Sequence, residues 1–224
     1  MTRDLVILPV GDAHSVDAAR ELYRQMSDSV VQPDSADIIE VAERLNADVG
    51  TGDDGFLAVA VEPDGRGAVV CVREPLLDEA LLAVLEATMD RQLAVYDATA
   101  HRLYDPRTAI PVRVTVGDGT TLPYLTEALT RALLDTDDAR GAYLIAQLPG
   151  RYLHAVRGAR GGWDLESRAE GDPESVGGYE ALPEADSRVA SVDGVEAASA
   201  AVWQWVCDGD WRSVADWQSV DSAE

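Results

Sequence analysis

The side chains that most often bind metal ions are few in this chain and widely separated. The three histidines, His14, His101 and His154, lie in three different segments, and no pair has the i,i+4 spacing of a helical zinc site. The two cysteines, Cys71 and Cys207, form no CxxC motif. These patterns predict surface or loop histidines, no metal site and no cofactor.

Side chains that could act as nucleophiles are also few in this chain. Cys71 lies in the apolar run Ala68–Val72, where a cysteine usually behaves as a small buried hydrophobe. Cys207 falls at the end of a predicted helix, where the helix dipole raises a thiol pKa. There is no G-x-S-x-G motif, and the chain has no lysine to form a Schiff base. The sequence therefore predicts no catalytic residue and a protein that is not an enzyme.

Two loop motifs resemble ligand-binding loops only in part. The acidic run of Asp135, Asp137 and Asp138 begins like a calcium loop, but Arg140 stands at loop position six and Ala146 at position twelve. The glycine pairs 50/52 and 117/119 lack the full phosphate-loop pattern and have aspartates beside them. We expect solvated loops at these places rather than calcium or nucleotide sites.

Tryptophan is concentrated at the end of the sequence. Four of the five tryptophans, Trp203, Trp205, Trp211 and Trp217, lie within the last 22 residues. The core stripe of the predicted final helix consists of Val195, Ser199, Val202 and Val206. Trp203 and Trp205 flank this stripe on opposite sides, at about 80° each. They either close a small core, which the spacing favours, or anchor a partner. Candidate partner-binding residues are Asp135, Asp137, Asp138, Trp203, Asp208, Asp210 and Trp211.

The net charge of the chain limits the classes of molecule that it can bind. All 18 basic residues are arginine, against 41 acidic residues, so the formal net charge is -23. Such a surface repels nucleic acid and anionic lipid, which leaves a basic protein as the partner that charge permits. The charge is shared almost evenly, with nets of -12 for residues 1–110 and -11 for residues 111–224. An even distribution of acidic residues is also what solubility alone would require. GC-rich codons and salt adaptation would each produce this acidic, lysine-free composition.

The predicted helices and strands that position these residues fall into two domains. Periodicity and turn signals predict two α+β domains, 1–109 and 110–224, each a mainly antiparallel sheet with helices packed on one face. The predicted orders are βααββαβ, with a short extra edge strand at 102–104, and βαβββα followed by a Trp-rich tail. Particular predictions are a strand over Phe56–Val61, a helix over Leu122–Leu134, a strand over Gly177–Leu182 and a helix over Asp193–Cys207. The short apolar run at the start and the lack of a ~20-residue apolar stretch predict a cytoplasmic protein.

The second half resembles a group of small, largely uncharacterised bacterial domains with a "G-G-W-x-L-E-x-R" strand and a "W-x-x-G-D-x-W" ending. The matching segments are Tyr143–Gln147, Tyr152–Arg157, Gly161–Arg168, Tyr179 and Trp203–Trp211. These domains occur in actinobacterial proteins and look like immunity proteins of polymorphic toxin systems. His154 departs from the pattern, in which Gln is common. The first half is similar to another such group through Gln92–Asp97 followed by Leu103.

Three hypotheses for function follow. The first is an acidic, non-enzymatic binding protein, of the immunity or antitoxin type that the resemblance implies, which neutralises a basic protein partner. The second is a housekeeping or scaffold protein whose acidity serves solubility, with carboxylates spread evenly and no dominant acidic concavity. The third is an enzyme with a pocket of convergent polar groups. The sequence leaves the oligomeric state open.

Overall fold

The structure is a computed structural model that describes residues 1–28, 35–48, 55–137, 139–158, 161–169 and 187–220. The predicted class is confirmed, because helices pack against two sheets whose strand pairs are antiparallel. The chain divides into two units, Met1–Ala109 and Ile110–Glu224.

The first unit contains a five-stranded sheet in the order β2-β3-β1-β4-β5. Its elements are β1 (Thr2–Pro9), α1 (Val16–Asp28), α2 (Ala36–Asp48), β2 (Pro63–Asp64), β3 (Gly67–Arg73), α3 (Leu77–Thr88), β4 (Leu93–Asp97) and β5 (Arg102–Tyr104). Ser15 caps α1, as its type predicts, because its Oγ accepts a hydrogen bond from the Ala18 backbone N–H at 3.2 Å.

Helices cover both faces of this sheet, which differs from the single covered face that we expected. Four successive residues of β1, Leu5–Leu8, are all buried, although alternate residues of a strand point to opposite faces. Residues of α1, including Ala19, pack with Val6 and Leu8 on one face. The face that carries Leu5 and Ile7 is covered by α2 and α3, which contact β1 and β3. A continuous apolar run is what two covered faces require.

The predicted strand over Phe56–Val61 is wrong. This segment makes a single bridge, between Leu57 and Val72, and then leaves the sheet. Asn46 on α2 explains the departure, because its side-chain amide pairs with both backbone groups of Val61. The Asn46 Oδ1 accepts from the Val61 N–H at 2.8 Å, and the Nδ2 donates to the Val61 carbonyl at 2.9 Å.

The second unit contains a seven-stranded sheet in the order β12-β11-β10-β9-β8-β6-β7. Its elements are β6 (Ile110–Val116), β7 (Thr121–Leu125), α4 (Glu127–Leu134), β8 (Tyr143–Leu148), β9 (Arg151–Arg157), β10 (Trp163–Ala169), β11 (Ser187–Val192), α5 (Gly194–Val206) and β12 (Gln218–Ser219). The strand predicted over Gly177–Leu182 lies outside the described residues.

The predicted helix over Leu122–Leu134 is wrong in its first half, which forms the edge strand β7. Pro123 gives the reason, since it disfavours helix at the preceding residue and cannot donate to a sheet ladder, which confines it to an edge. The helix begins after Thr126, whose Oγ1 accepts from the Leu129 backbone N–H at 3.1 Å. Leu122 and Leu125 are both buried, but they lie in strand β7, although their spacing of three residues is typical of a helix.

Candidate functional site

The structure separates the acidic residues that the sequence grouped as partner-binding candidates. Asp135 ends α4, and the Asp137 carboxylate accepts a hydrogen bond from Arg157 at 2.8 Å. Asp208 accepts from Arg151 at 2.9 Å. Arg151 and Arg157 are the first and last residues of β9, and their Cα atoms lie about 20 Å apart, since a strand rises about 3.3 Å per residue. Asp208 and Asp137 are therefore held at opposite ends of this strand. Asp210 is exposed near Asp208, and Asp138 lies outside the described residues.

The tryptophans divide between the core and its margin. Trp205 is 1% exposed, and its Nε1–H donates to the Ser167 hydroxyl at 3.0 Å, whereas Trp203 is only half-buried. The buried stripe of α5 therefore differs from the predicted one of Val195, Ser199, Val202 and Val206. It consists of Ala198, Ala201, Val202, Trp205 and Val206. Trp205 belongs to this stripe instead of flanking it.

The segment Cys207–Trp211, with its Asp-Gly-Asp sequence, predicts a sharp turn that folds the tail back, and the structure has this turn. Asp208 adopts a left-handed backbone conformation, and the Gly209 N–H donates to the Gln204 carbonyl at 2.8 Å. Trp211 is 6% exposed and meets Trp217 edge-on, with ring centroids 4.7 Å apart. The Trp217 Nε1–H donates to the Trp211 carbonyl at 3.1 Å. Packing within the unit accounts for the burial of Trp211.

A different surface of the second unit gathers side chains that could bind a partner. Alternate residues of β8, β9 and β10, such as Leu144, Leu153 and Leu165, are buried on the sheet face that α4 and α5 contact. The residues between them form the opposite face, which we call the open sheet face. It includes Tyr143, Ile145, Tyr152, His154, Val156, Asp164, Glu166, Arg168, Val189 and Ser191.

Part of the open sheet face is hollowed into a cavity of about 470 Å³, which we call the acidic concavity. Three carboxylates line it, from Asp164 and Glu166 on β10 and from Asp216 in the tail. The apolar lining includes Val156 and Val189, which are 36% and 37% exposed. The sequence signal for this face is the alternation of Tyr152, His154 and Val156 with apolar residues of β9, which the predicted partner-binding residues do not include.

His154 lies at the centre of the open sheet face. It pairs with Ile145 on β8 and with Glu166 on β10, and its ring meets the Tyr143 ring edge-on at 5.9 Å. Burial lowers the pKa of His154 below its usual value, while the Glu166 carboxylate acts in the opposite direction. The imidazole is therefore neutral at pH 7 and adds no positive charge to the acidic concavity.

The lowered His154 pKa predicts a loss of stability in mild acid. Below about pH 6.5 the unfolded chain protonates this histidine while the native state resists doing so, so the free energy of unfolding falls. We expect His154→Gln to remove this part of the pH dependence in urea unfolding between about pH 7.5 and pH 5.5. His14→Gln, at an exposed position in the first unit, is the control. Parallel pH profiles for the wild type and His154→Gln would contradict the prediction.

The second cavity of note lies in the first unit and has a different character. It measures about 190 Å³ and lies between α1 and the β2–β3 turn, with Leu8, Leu22 and Met26 in its lining. Its lining also includes Arg66 and Asp12, which form an ion pair at 3.5 Å. This apolar hollow gathers fewer polar groups than the acidic concavity.

Neither thiol is activated. Burial raises the pKa of Cys71, with the Asp4 carboxylate adding to the effect, and burial and the Glu127 charge raise the pKa of Cys207. Asp4 also accepts a hydrogen bond from the Tyr23 hydroxyl, which raises the pKa of Tyr23 to about 12. These groups stay protonated at neutral pH, which suits packing rather than nucleophilic catalysis. Among the described residues, no three His, Cys, Asp or Glu side chains are placed to hold a metal ion.

Together these features define a two-unit α+β protein whose second unit exposes an antiparallel sheet face with an acidic hollow. Comparison of the chain with family models, curated proteins and solved structures finds no match. In the part of the chain that the structure describes, no helix has the length and apolar character needed to cross a bilayer.

Proposed function

We propose that this protein is a non-enzymatic binding protein of the cytoplasm that engages a basic protein partner, in the manner of an immunity or antitoxin factor. The observation that carries the proposal is the acidic concavity on the open sheet face of the second unit. An even spread of acidity for solubility does not require carboxylates to collect around an apolar hollow, whereas recognition of a basic surface does.

The composition of this face supports a protein partner. Carboxylates and aliphatic side chains line the hollow together, and the half-buried Tyr143, Ile145 and Tyr152 extend the apolar and aromatic surface along the same sheet face. Protein interfaces combine aromatic and apolar surface with polar groups in this way. Two of the carboxylates, on Asp164 and Asp216, make no ion pair with any arginine that the structure describes. An unpaired carboxylate can attract a basic partner and steer its approach, because its charge is not already neutralised.

A scaffold or housekeeping role is the second candidate, and the ion pairs of the chain favour it. Arg3 pairs with Glu74 in the first unit, and Arg140 pairs with Asp118 in the second. Such pairs neutralise acidity locally in both units, as solubility alone would allow. The two candidates make different predictions for Asp164 and Asp216. Substitution of these residues weakens retention of a partner if the protein binds a basic partner, and it has no such effect if the acidity serves solubility alone.

The test is co-purification of tagged full-length protein from extracts of the native host. We expect an identified basic partner that is retained at low ionic strength and lost at high ionic strength. The double variant Asp164→Asn/Asp216→Asn should retain at least about tenfold less partner, since charge-assisted hydrogen bonds contribute roughly 1.5–3 kcal/mol each.

The matched control is Asp90→Asn/Glu43→Gln, which removes the same charge from exposed positions of the first unit. It should retain the partner at the wild-type level. Equal retention by both double variants, or a partner that is acidic or insensitive to salt, would refute the proposal and favour the scaffold role.

A further inference from the structure

We propose that the acidic concavity binds one arginine side chain of the basic partner, an inference that rests on the proposed function and names the chemistry of its central contact. The cavity volume of about 470 Å³ lies within the range of clefts that enclose small ligands, roughly 300–1,000 Å³. It is therefore large enough to admit a long side chain from a docked protein.

The carboxylates of the hollow are placed to receive a cation. Asp164 accepts a hydrogen bond from the Ser191 hydroxyl at 2.7 Å through Oδ1, which fixes the orientation of the carboxylate. Its other oxygen, Oδ2, lies beside Gly158, which has no side chain to cover it. Asp216 reaches the same hollow from the tail, so a cation inside it would meet carboxylates from two different elements.

The remaining lining suits a side chain with an apolar stem. Val156 and Val189 offer aliphatic surface, and an arginine or lysine stem can lie against such surface while its charged head reaches the carboxylates. His154 completes the wall as a neutral ring and therefore does not repel a cation. A free metal ion or a small ammonium ion would leave this apolar surface without a contact.

Guanidinium chemistry fits the hollow better than ammonium chemistry. A guanidinium presents five N–H donors in one plane and can bond two carboxylates at once, and its flat faces stack on rings and aliphatic groups. The same face provides an internal example, since the Arg168 Nε donates to the Glu166 carboxylate at 2.6 Å. Glu166 is occupied in this way, which leaves Asp164 and Asp216 for the incoming side chain.

The test uses full-length protein and three short blocked peptides that differ only in a central arginine, lysine or citrulline. Citrulline keeps the shape of arginine without its charge. Titrations followed by ¹H–¹⁵N spectra should shift the amides of Val156, Asp164, Val189 and Gln218. We expect the arginine peptide to bind at least about tenfold more tightly than the citrulline peptide, and more tightly than the lysine peptide.

Three variants locate the binding. Asp164→Asn and Asp216→Asn should each weaken the arginine peptide by about tenfold, while Asp90→Asn leaves it unchanged. Equal affinity for arginine and lysine, equal weakening by Asp90→Asn, or shifts spread over both units would each overturn the inference. If the double variant still loses the co-purified partner in such a case, the proposed function stands without an arginine anchor. If that variant keeps its partner as well, the proposed function fails too.

Discussion

Replacing Trp205 with alanine should lower the free energy of unfolding of the second unit by about 3–5 kcal/mol, the range found for large buried aromatic side chains. Trp205 is almost fully buried on α5, and it fills the space between the helix and β9 and β10. Its removal would leave a cavity and would also leave the Ser167 hydroxyl without its donor. The Arg151 guanidinium, 4.9 Å from the centre of the ring, would lose a cation–π contact as well.

Trp203→Ala is the matched control, because it removes the same side chain from the same helix. Trp203 is only half-buried, so we expect a loss of about 1 kcal/mol, the typical value for a single substitution. Urea unfolding followed by circular dichroism at 222 nm measures both variants. Equal losses for Trp203→Ala and Trp205→Ala would show that the two side chains flank the stripe symmetrically, and would contradict the packing of α5 described above.

The contrast between these two tryptophans shows how much of the final helix can be predicted from the sequence. The predicted bounds of the final helix, Asp193–Cys207, agree closely with the observed Gly194–Val206. The predicted stripe shares Val202 and Val206 with the observed one, but it contains Val195 and Ser199 where the structure buries Ala198, Ala201 and Trp205. Ala198 and Ala201 are fully buried, since a small side chain lets the helix approach the sheet closely. An apolar helix can bury any of several stripes of residues. The shape of the sheet against which it packs decides which stripe faces the core.

Signals from residues close together in sequence predict the class of fold. The predicted elements that were wrong depend on contacts between residues that are distant in sequence or on a single proline. Ser15 predicts the start of α1 because capping is a property of neighbouring residues. The departure of Phe56–Val61 from the sheet depends instead on Asn46, which is distant in sequence from Val61. Leu122–Leu125 presents the apolar spacing of a helix, and Pro123 was the local residue that could have indicated the edge strand.

The candidate site was harder to predict than the fold. Asp135, Asp137, Asp208 and Asp210 stood out because acidic residues clustered in sequence, yet strand β9 separates the two groups. The acidic concavity combines β9, β10, β11 and the tail, which come together only when the sheet forms. Its carboxylates are single residues within strands or next to one, so the sequence offers no cluster to mark them.

Replacing Gly141 with alanine is the second change with a large expected effect. Gly141 lies in the short 3-10 helix Ala139–Ala142 before β8, and it is buried. A Cβ at this position would lie 1.6 Å from the Thr136 carbonyl oxygen and 2.7 Å from its carbon. Because both contacts are with backbone atoms, no side-chain rotation relieves them. We expect a loss of about 3 kcal/mol or more in the free energy of unfolding.

The backbone that Gly141 contacts is held in place by Arg157, which makes relaxation more costly. One guanidinium nitrogen, Nη2, donates to the Leu134 and Thr136 carbonyls at 2.8 Å and 2.9 Å, and Nη1 donates to Asp137. Gly150→Ala is the control, since its Cβ would meet nothing within 4 Å. Its positive φ of 71° should cost about 1–2 kcal/mol of backbone strain. Equal losses at the two positions in urea unfolding would mean that the backbone at Thr136 moves aside without cost. In that case Arg157 would not fix the end of α4.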